Sequence, residues 1–444
     1  MKVNLLENKI LPSLLKLATP LVATAFVLVA YNIIDTIWLG RLGTKAVAAA
    51  GTIGIYIWIS NTIMTMARVG VSVRASHAFG KNDMERTKLA IRNSIQLAFA
   101  MGILISLLCF FLKKPLVDFY GLDGETADLA VDYFSMILLG FAFSFVNPVI
   151  SSAYNSLGNS MTPFIFNTLG LIFNIILDPV LIFGLGPIPG LGIRGAGLAT
   201  ASSQALVTLA FVIYIYWEKG LVYESGFFKM PNLYEMTRIM LMGLPTSVRS
   251  LVQALVAIVL NKLTAGFGSV PLAVYSVGSQ VESISYMTSE GFAMAMTAFA
   301  GQNYGAEKYS RIREMTKKGL GLMFLGGTII MAAFIIFGQP IYELFLPHDP
   351  EAITLGAKYL LILGLSQSLM NIEIGTIGIF NGIGRPAFPG FSGMVLNILR
   401  IPLSLVLIPY YGVFGIWIAI TISSNLKGII NYVALNYTMK RLGI

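Results

Sequence analysis

Two carboxylates in this chain sit where carboxylates are costly. Asp35 is the only acid in the apolar run 14–39, LLKLATPLVATAFVLVAYNIIDTIWL. Asp178 lies in a second such run, 161–184, four residues after Asn174 and directly before Pro179. A spacing of four places the Asn174 amide and the Asp178 carboxylate on one helix face. A run of twenty-odd apolar residues is long enough to cross a bilayer, and an acid at that depth marks an ion or proton path by default. Two carboxylates in a low-dielectric pocket cannot both ionise cheaply, so such a pair is suited to taking up and releasing a proton or a cation. Thr200 adds a hydroxyl. Asp35 is five residues before Gly40, Asp178 six before Gly184, and Thr200 six after Arg194, all at the same side of the membrane. At helical rise that puts the three about 8–9 Å below their helix ends, so with Asn174 they are expected to form one polar pocket. The plainer alternatives are a solvated interfacial acid at Asp35, a structural interhelical hydrogen bond from Asn174, and an Asp178 that stays protonated and only packs.

Few other chemistries are available. One cysteine, Cys109, and two separated histidines, His77 and His348, make neither a disulfide framework nor a zinc site. No G-x4-G-K-[ST] loop is present, so ATP is not the expected energy source. No nucleophile–base pair stands out, and the two histidines sit at helix ends or in loops with no catalytic histidine within a span, which disfavours a membrane-embedded transferase. The protein is therefore expected not to be an enzyme and to need no cofactor beyond a gradient of H⁺, or of Na⁺ as the alternative.

The elements that position these groups follow from composition. The chain has 444 residues, 56% of them hydrophobic and 11% charged. Soluble domains carry about 25% charged residues, so this is an all-α polytopic membrane protein. Twelve apolar spans can be drawn, at 14–39, 51–77, 89–112, 126–155, 161–184, 193–218, 234–262, 272–299, 314–337, 354–382, 386–408 and 413–439. The first is too long for a signal-peptide core. With the N-terminus inside, 18 Lys and Arg residues fall on the inner side and 7 on the outer. The positive-inside rule then puts both termini in the cytoplasm. The net charge of +9 comes from these basic loops and does not point to nucleic acid.

The chain is written twice. Pro20, Gly43, Ala48, Gly80 and Arg86 match Pro245, Gly268, Ala273, Gly305 and Arg311 at one offset of 225 residues. Further on, NSLGNSMTP (Asn155 to Pro163) matches NGIGRPAFP (Asn381 to Pro389), Asn174 with Pro179 matches Asn397 with Pro402, and Gly192 and Gly195 match Gly412 and Gly415. Each repeat holds six spans, an even number, so both enter the membrane in the same direction, with a path between them. The expected division is a first lobe at 1–218, a solvated cytoplasmic linker at 219–238 and a second lobe at 239–444. Asp35 matches Leu260 and Asp178 matches Ile401, so ion handling belongs to the first lobe. Pro20 removes one hydrogen bond from the first span and gives it a place to bend.

Further candidates lie in the second half. Glu282, near the midplane of span eight, could attract a cation or pair locally with Arg249. Arg400 is a possible partner for Glu373. Met64 and Met287 are candidate linings of an adaptable cavity, since thioethers repack easily, although core or lipid contact is the commoner role for any one methionine.

These stretches resemble the multidrug and toxic compound extrusion (MATE) family, its DinF-like branch in particular. The resemblance is carried by YNIIDTIWLGRLG (Tyr31 to Gly43), AFGKND (Ala78 to Asp83), NPVISSAYNSLGNS (Asn147 to Ser160), FNIILDP (Phe173 to Pro179) and GLPTS (Gly243 to Ser247), and covers essentially the whole chain. It implies two six-helix lobes forming a V around a central cavity, and export of cationic or amphipathic drugs coupled to H⁺ or Na⁺. It also implies that Asp35 is the central protonation site, that Tyr31, Asn174, Asp178 and Thr200 form its polar network, and that the first helix bends at Pro20. The NorM-like branch bears a glutamate where this chain has Gln253, which counts against a second-lobe cation site. The expected protein is a monomeric, multi-pass antiporter in the plasma membrane of a prokaryote. A lipid-linked precursor flippase is the competing reading, kept open by Arg68, Arg249 and Arg400.

Overall fold

The computed structural model describes residues 3–347 and 349–444, so Lys2 and His348 lie outside the described residues. The first half comprises α1 (Ile10–Leu42), α2 (Thr44–Gly80), α3 (Met84–Asp118), α4 (Gly124–Leu139), α5 (Phe141–Ser156), α6 (Met161–Phe183) and α7 (Ile193–Glu218). A two-stranded hairpin, β1 (Gly184–Leu185) and β2 (Ile188–Pro189), joins α6 to α7, and a short α8 (Leu221–Ser225) follows α7. The second half comprises α9 (Leu233–Ala265), α10 (Ser269–Gly305), α11 (Tyr309–Phe345), α12 (Pro350–Gly364), α13 (Gln367–Gly382), α14 (Ala387–Ile398), α15 (Arg400–Tyr411) and α16 (Val413–Leu442).

Among the described residues, nine helices are long and apolar enough to cross a bilayer, or eleven if each of two bent pairs is one span. The pairs are α4 with α5, bent by 48°, and α12 with α13, bent by 47°. The expected span at 272–299 is also helical, within the 37-residue α10. It is not among the eleven, in keeping with the serines, Gln280, Glu282 and Glu290 that dilute its apolar run. Polar side chains start several helices. Asp83 accepts from the Arg86 amide, Asp123 from the Thr126 amide and Asp349 from the Ala352 amide. Each such cap satisfies a helix-end donor and is worth about 1 kcal/mol.

The internal repeat is visible in the backbone. Gly192 has φ 56° and ψ −133°, and its match Gly412 has φ 56° and ψ −136°. Both precede a helix in a conformation with positive φ that costs glycine least. The counterpart of α6 is α14 with α15, which run on through Leu399 in helical conformation as one apolar span of 25 residues.

The chain falls into two compact units, and they do not divide at the loop between the repeats. One holds Ala23–Gly243 with Val3, and the other holds Asn4–Val22 with Leu244–Ile444. Thus α1 gives its residues up to Val22 to the second unit and the rest to the first, and α9 changes unit between Gly243 and Leu244. Residues 219–238, expected as a solvated linker, are part of the first unit. There α8 packs on α3, and Asn93 of α3 accepts from the Asn232 amide at 2.7 Å. The first unit has a core running from Leu39 through α2–α7 to Ile239, and the second a core around Trp417, Tyr359 and Tyr342.

The contact of α6 with α7 is set by Gly195. A Cβ there would lie 2.1 Å from the Leu181 carbonyl oxygen and 2.4 Å from its carbon, both backbone atoms that cannot swing away. Gly195→Ala is therefore expected to destabilise the protein by about 1–3 kcal/mol or more, the usual cost of overpacking. Thermal unfolding in detergent is the check, and an unchanged midpoint would show that the helices can separate freely.

Candidate functional site

Four helices, α1, α4, α6 and α7, bring their polar groups together in the first unit. Asn174 and Asp178, one turn apart on α6, are both fully buried, and the Asn174 amide donates to Asp178 Oδ1 at 3.2 Å. Asp35 on α1 is half-buried and accepts from the Tyr133 hydroxyl of α4, Oη to Oδ2 3.3 Å. Asp178 lies within the electrostatic reach of Asp35. The Tyr31 hydroxyl sits beside the Thr200 and Ser203 hydroxyls of α7 and feels both carboxylates. Asp35 and Thr200 are each about two turns from the end of their helix, and Asp178 somewhat less.

The site is short of partners. Asp35 Oδ1, Asp178 Oδ2, Asn174 Oδ1, Thr200 Oγ1, Ser203 Oγ, Tyr31 Oη and Trp38 Nε1 are all buried without a hydrogen-bond partner among the described residues. A buried polar atom left unpaired costs about 1–3 kcal/mol, and native proteins contain few of them. Seven on α1, α6 and α7 of one unit amount to a large local cost, which a protein tolerates where a ligand or ion supplies the missing bonds. Trp38 also carries Arg41 over its ring at 4.5 Å.

Tyr133 and Ser203 were not among the sequence candidates. Ser203 stands one turn beyond Thr200, so helical spacing could have found it. Tyr133 is 98 residues from Asp35 and no local pattern connects them.

A family model, MatE, matches residues 20–180 and again 245–406, taking up both halves of the repeat. The chain belongs to the MatE family. MatE proteins are membrane transporters rather than enzymes, and this MatE chain is a multi-pass membrane protein. It is 26% identical over 418 residues to a probable multidrug resistance protein NorM of Thermotoga maritima, covering 91% of this chain and 88% of that one. It is also 26% identical to an FAD transporter of Shewanella oneidensis, covering 94% and 93%. The fold is similar to that of the Vibrio cholerae MATE transporter VcmN, with a TM-score of 0.88, 19% identity and 97% of each chain covered.

The second unit of the MatE chain holds a different set of charges. Glu373 on α13 is buried against Lys427 of α16 at 3.0 Å and Arg249 of α9 at 3.8 Å. The pairing of Arg249 with Glu282 considered above is therefore replaced by one with Glu373. Arg400 does not pair with Glu373 as suggested. It donates instead to the Ser423 and Ser424 hydroxyls of α16, at 3.2 and 2.9 Å. Glu282 lies near Gln367 and in the field of Arg400. Gln253 on α9 and Met287 on α10 are half-buried in this unit. Met64, considered as a cavity lining, is packed in the hydrophobic core of the first unit. Among the described residues no three His, Cys, Asp or Glu side chains converge on a metal position.

Proposed function

We propose that this MatE chain exports small cationic or amphipathic compounds in exchange for protons, with Asp35 binding proton and substrate in turn. The observation that carries the reading is the group of unpartnered polar atoms around Asp35 and Asp178. The multidrug resistance protein NorM of T. maritima supports the substrate class. The chain sits in the plasma membrane of a prokaryote with both termini cytoplasmic, as the bias of its basic loops requires.

The residues divide the work as follows. With both carboxylates unprotonated the pocket holds a cation by charge. A proton arriving from outside neutralises Asp35, removes that attraction and weakens the bond that Asp35 accepts from Tyr133. The cation leaves outward, and loss of the proton to the cytoplasm resets the site. Asn174 keeps Asp178 oriented, while Tyr31, Thr200 and Ser203 supply hydroxyls to whichever form is present. One monovalent cation exchanged for one proton moves no net charge, so ΔpH drives the cycle and voltage does not. The test is efflux from proteoliposomes under an imposed ΔpH without sodium. Transport that stays silent until a sodium gradient is applied would overturn proton coupling.

Sodium is the second reading, favoured by one specific feature. Asp35 Oδ1, Asp178 Oδ2, Asn174 Oδ1 and Thr200 Oγ1 are four unpartnered oxygens, the donor type that suits a hard cation such as sodium.

The hinge rests on the division of α1. Pro20 stands two residues before the point at which α1 passes from one compact unit to the other. A bend there would let a change at Asp35 alter the course of α1. Pro20→Ala is expected to slow ΔpH-driven efflux severalfold while leaving thermal stability within about 1 kcal/mol or improved, because a proline inside a helix is unfavourable. Wild-type turnover in the variant would remove the hinge from the mechanism.

A further inference from the structure

The first unit contains a cavity of about 790 Å³ that the exchange site does not use. Ligand pockets usually span about 300–1,000 Å³. Its walls are apolar side chains of α3, α5 and α7, including Phe99, Val146, Ile150, Val212 and Ile215. Its roof is the segment 222–229, formed by α8 and the turn after it. That roof is fastened down. Gln96 Nε2 donates to the Phe227 carbonyl at 2.5 Å and to the Lys229 carbonyl at 2.8 Å. The Phe227 ring meets Phe99 edge-on at 6.0 Å. Gly226, at φ 67°, turns the chain so that Lys229 returns across it.

The mouth of this apolar slot is cationic. Arg92 of α3 and Lys229 both line it. Glu224, the acid beside them, is taken by Lys88 at 2.9 Å. Among the described residues neither Arg92 nor Lys229 has an ion-pair partner, and Arg92 Nε is buried with no hydrogen-bond acceptor. A buried guanidinium N–H without an acceptor points to an anionic group that belongs there. The slot lies toward the start of α3 and the end of α7, the side on which the basic loops gather. Basic pockets between membrane helices on the cytoplasmic side suit anionic lipid head groups.

We propose that this cavity binds one anionic phospholipid of the cytoplasmic leaflet, with an acyl chain between α3, α5 and α7 and its phosphate on Arg92 and Lys229. The site rests on the topology given under Proposed function but not on proton coupling. The cationic mouth disfavours the cationic substrates expected at Asp35, and a free phosphate would leave the apolar slot unfilled. A bound lipid would tie the roof to α3 and α7 just ahead of α9, the helix that passes from one unit to the other.

The test is native mass spectrometry of the full chain, taken from nanodiscs of phosphatidylglycerol or of phosphatidylcholine. Wild type should retain one phosphatidylglycerol and little phosphatidylcholine. Arg92→Gln should cut retention at least tenfold. Val212→Trp, which fills the slot from a partly exposed position and leaves Arg92 in place, should do the same. Both variants should keep the wild-type thermal unfolding midpoint in detergent, which shows that they fold; if Arg92→Gln does not fold, Val212→Trp decides alone. Undiminished retention in Val212→Trp would overturn the proposal. Equal retention of phosphatidylcholine or a neutral detergent, or displacement of the lipid by millimolar glycerol 3-phosphate, would do so as well.

Discussion

Asp35→Asn is expected to bring ΔpH-driven efflux down to the rate of protein-free liposomes. The substitution keeps the size of the side chain and an oxygen to accept from Tyr133, so the fold should survive. It removes the only carboxylate on α1 and leaves the pocket permanently without that charge. Substrate cations would then meet only Asp178, already engaged by Asn174 at 3.2 Å. Asp178→Asn should be milder, because Asp35 can still cycle, and should appear as weaker substrate binding with residual ΔpH-driven transport. Efflux in Asp35→Asn at the wild-type rate would remove that residue from the mechanism.

The second large effect is on stability. Glu373→Ala should cost about 3–5 kcal/mol, because it strands buried cations without a counter-charge. The side chains of Glu373, Arg249 and Lys427 are 3%, 8% and 5% exposed, so water cannot take over the lost interaction. Lys427→Met should cost less, since Glu373 would keep Arg249 at 3.8 Å and the new side chain packs well. Thermal unfolding in detergent should therefore rank the proteins wild type, Lys427→Met, Glu373→Ala. The reverse order of the two variants would mean that Glu373 is not what compensates the cations.

Much of the candidate site was legible because it is local. The spacing of four between Asn174 and Asp178 predicts a shared face, and the two side chains are hydrogen-bonded. Depth along the helix placed Asp35, Asp178 and Thr200 at one level, and the structure brings all three into one polar cluster. What escaped was tertiary. Tyr133 reaches Asp35 from another helix, and nothing near it in sequence announces the contact. Arg249 and Arg400 read as partners for Glu282 and Glu373, and only packing decides that Glu373 takes Arg249 and Lys427 instead. The segment 219–238 reads as a solvated linker because it is charged, and most of its residues are exposed, but the contacts that hold it have no signature in the sequence. Its backbone is anchored by Gln96 and Asn93, polar residues inside a helix otherwise read as membrane-spanning. The boundary between units was hidden for a related reason. A helix with continuous apolar periodicity gives no sign that its ends pack in different units, and only Pro20 and Pro245 mark the place.

The central claim is that substrate and proton exchange at Asp35. The most direct test is to follow internal pH in liposomes while an outward gradient of a cationic drug drives transport without sodium. Proton influx matched to drug efflux, present in the wild type and absent in Asp35→Asn, is the predicted result. Drug efflux with no accompanying proton movement, or proton movement that persists in Asp35→Asn, would contradict it.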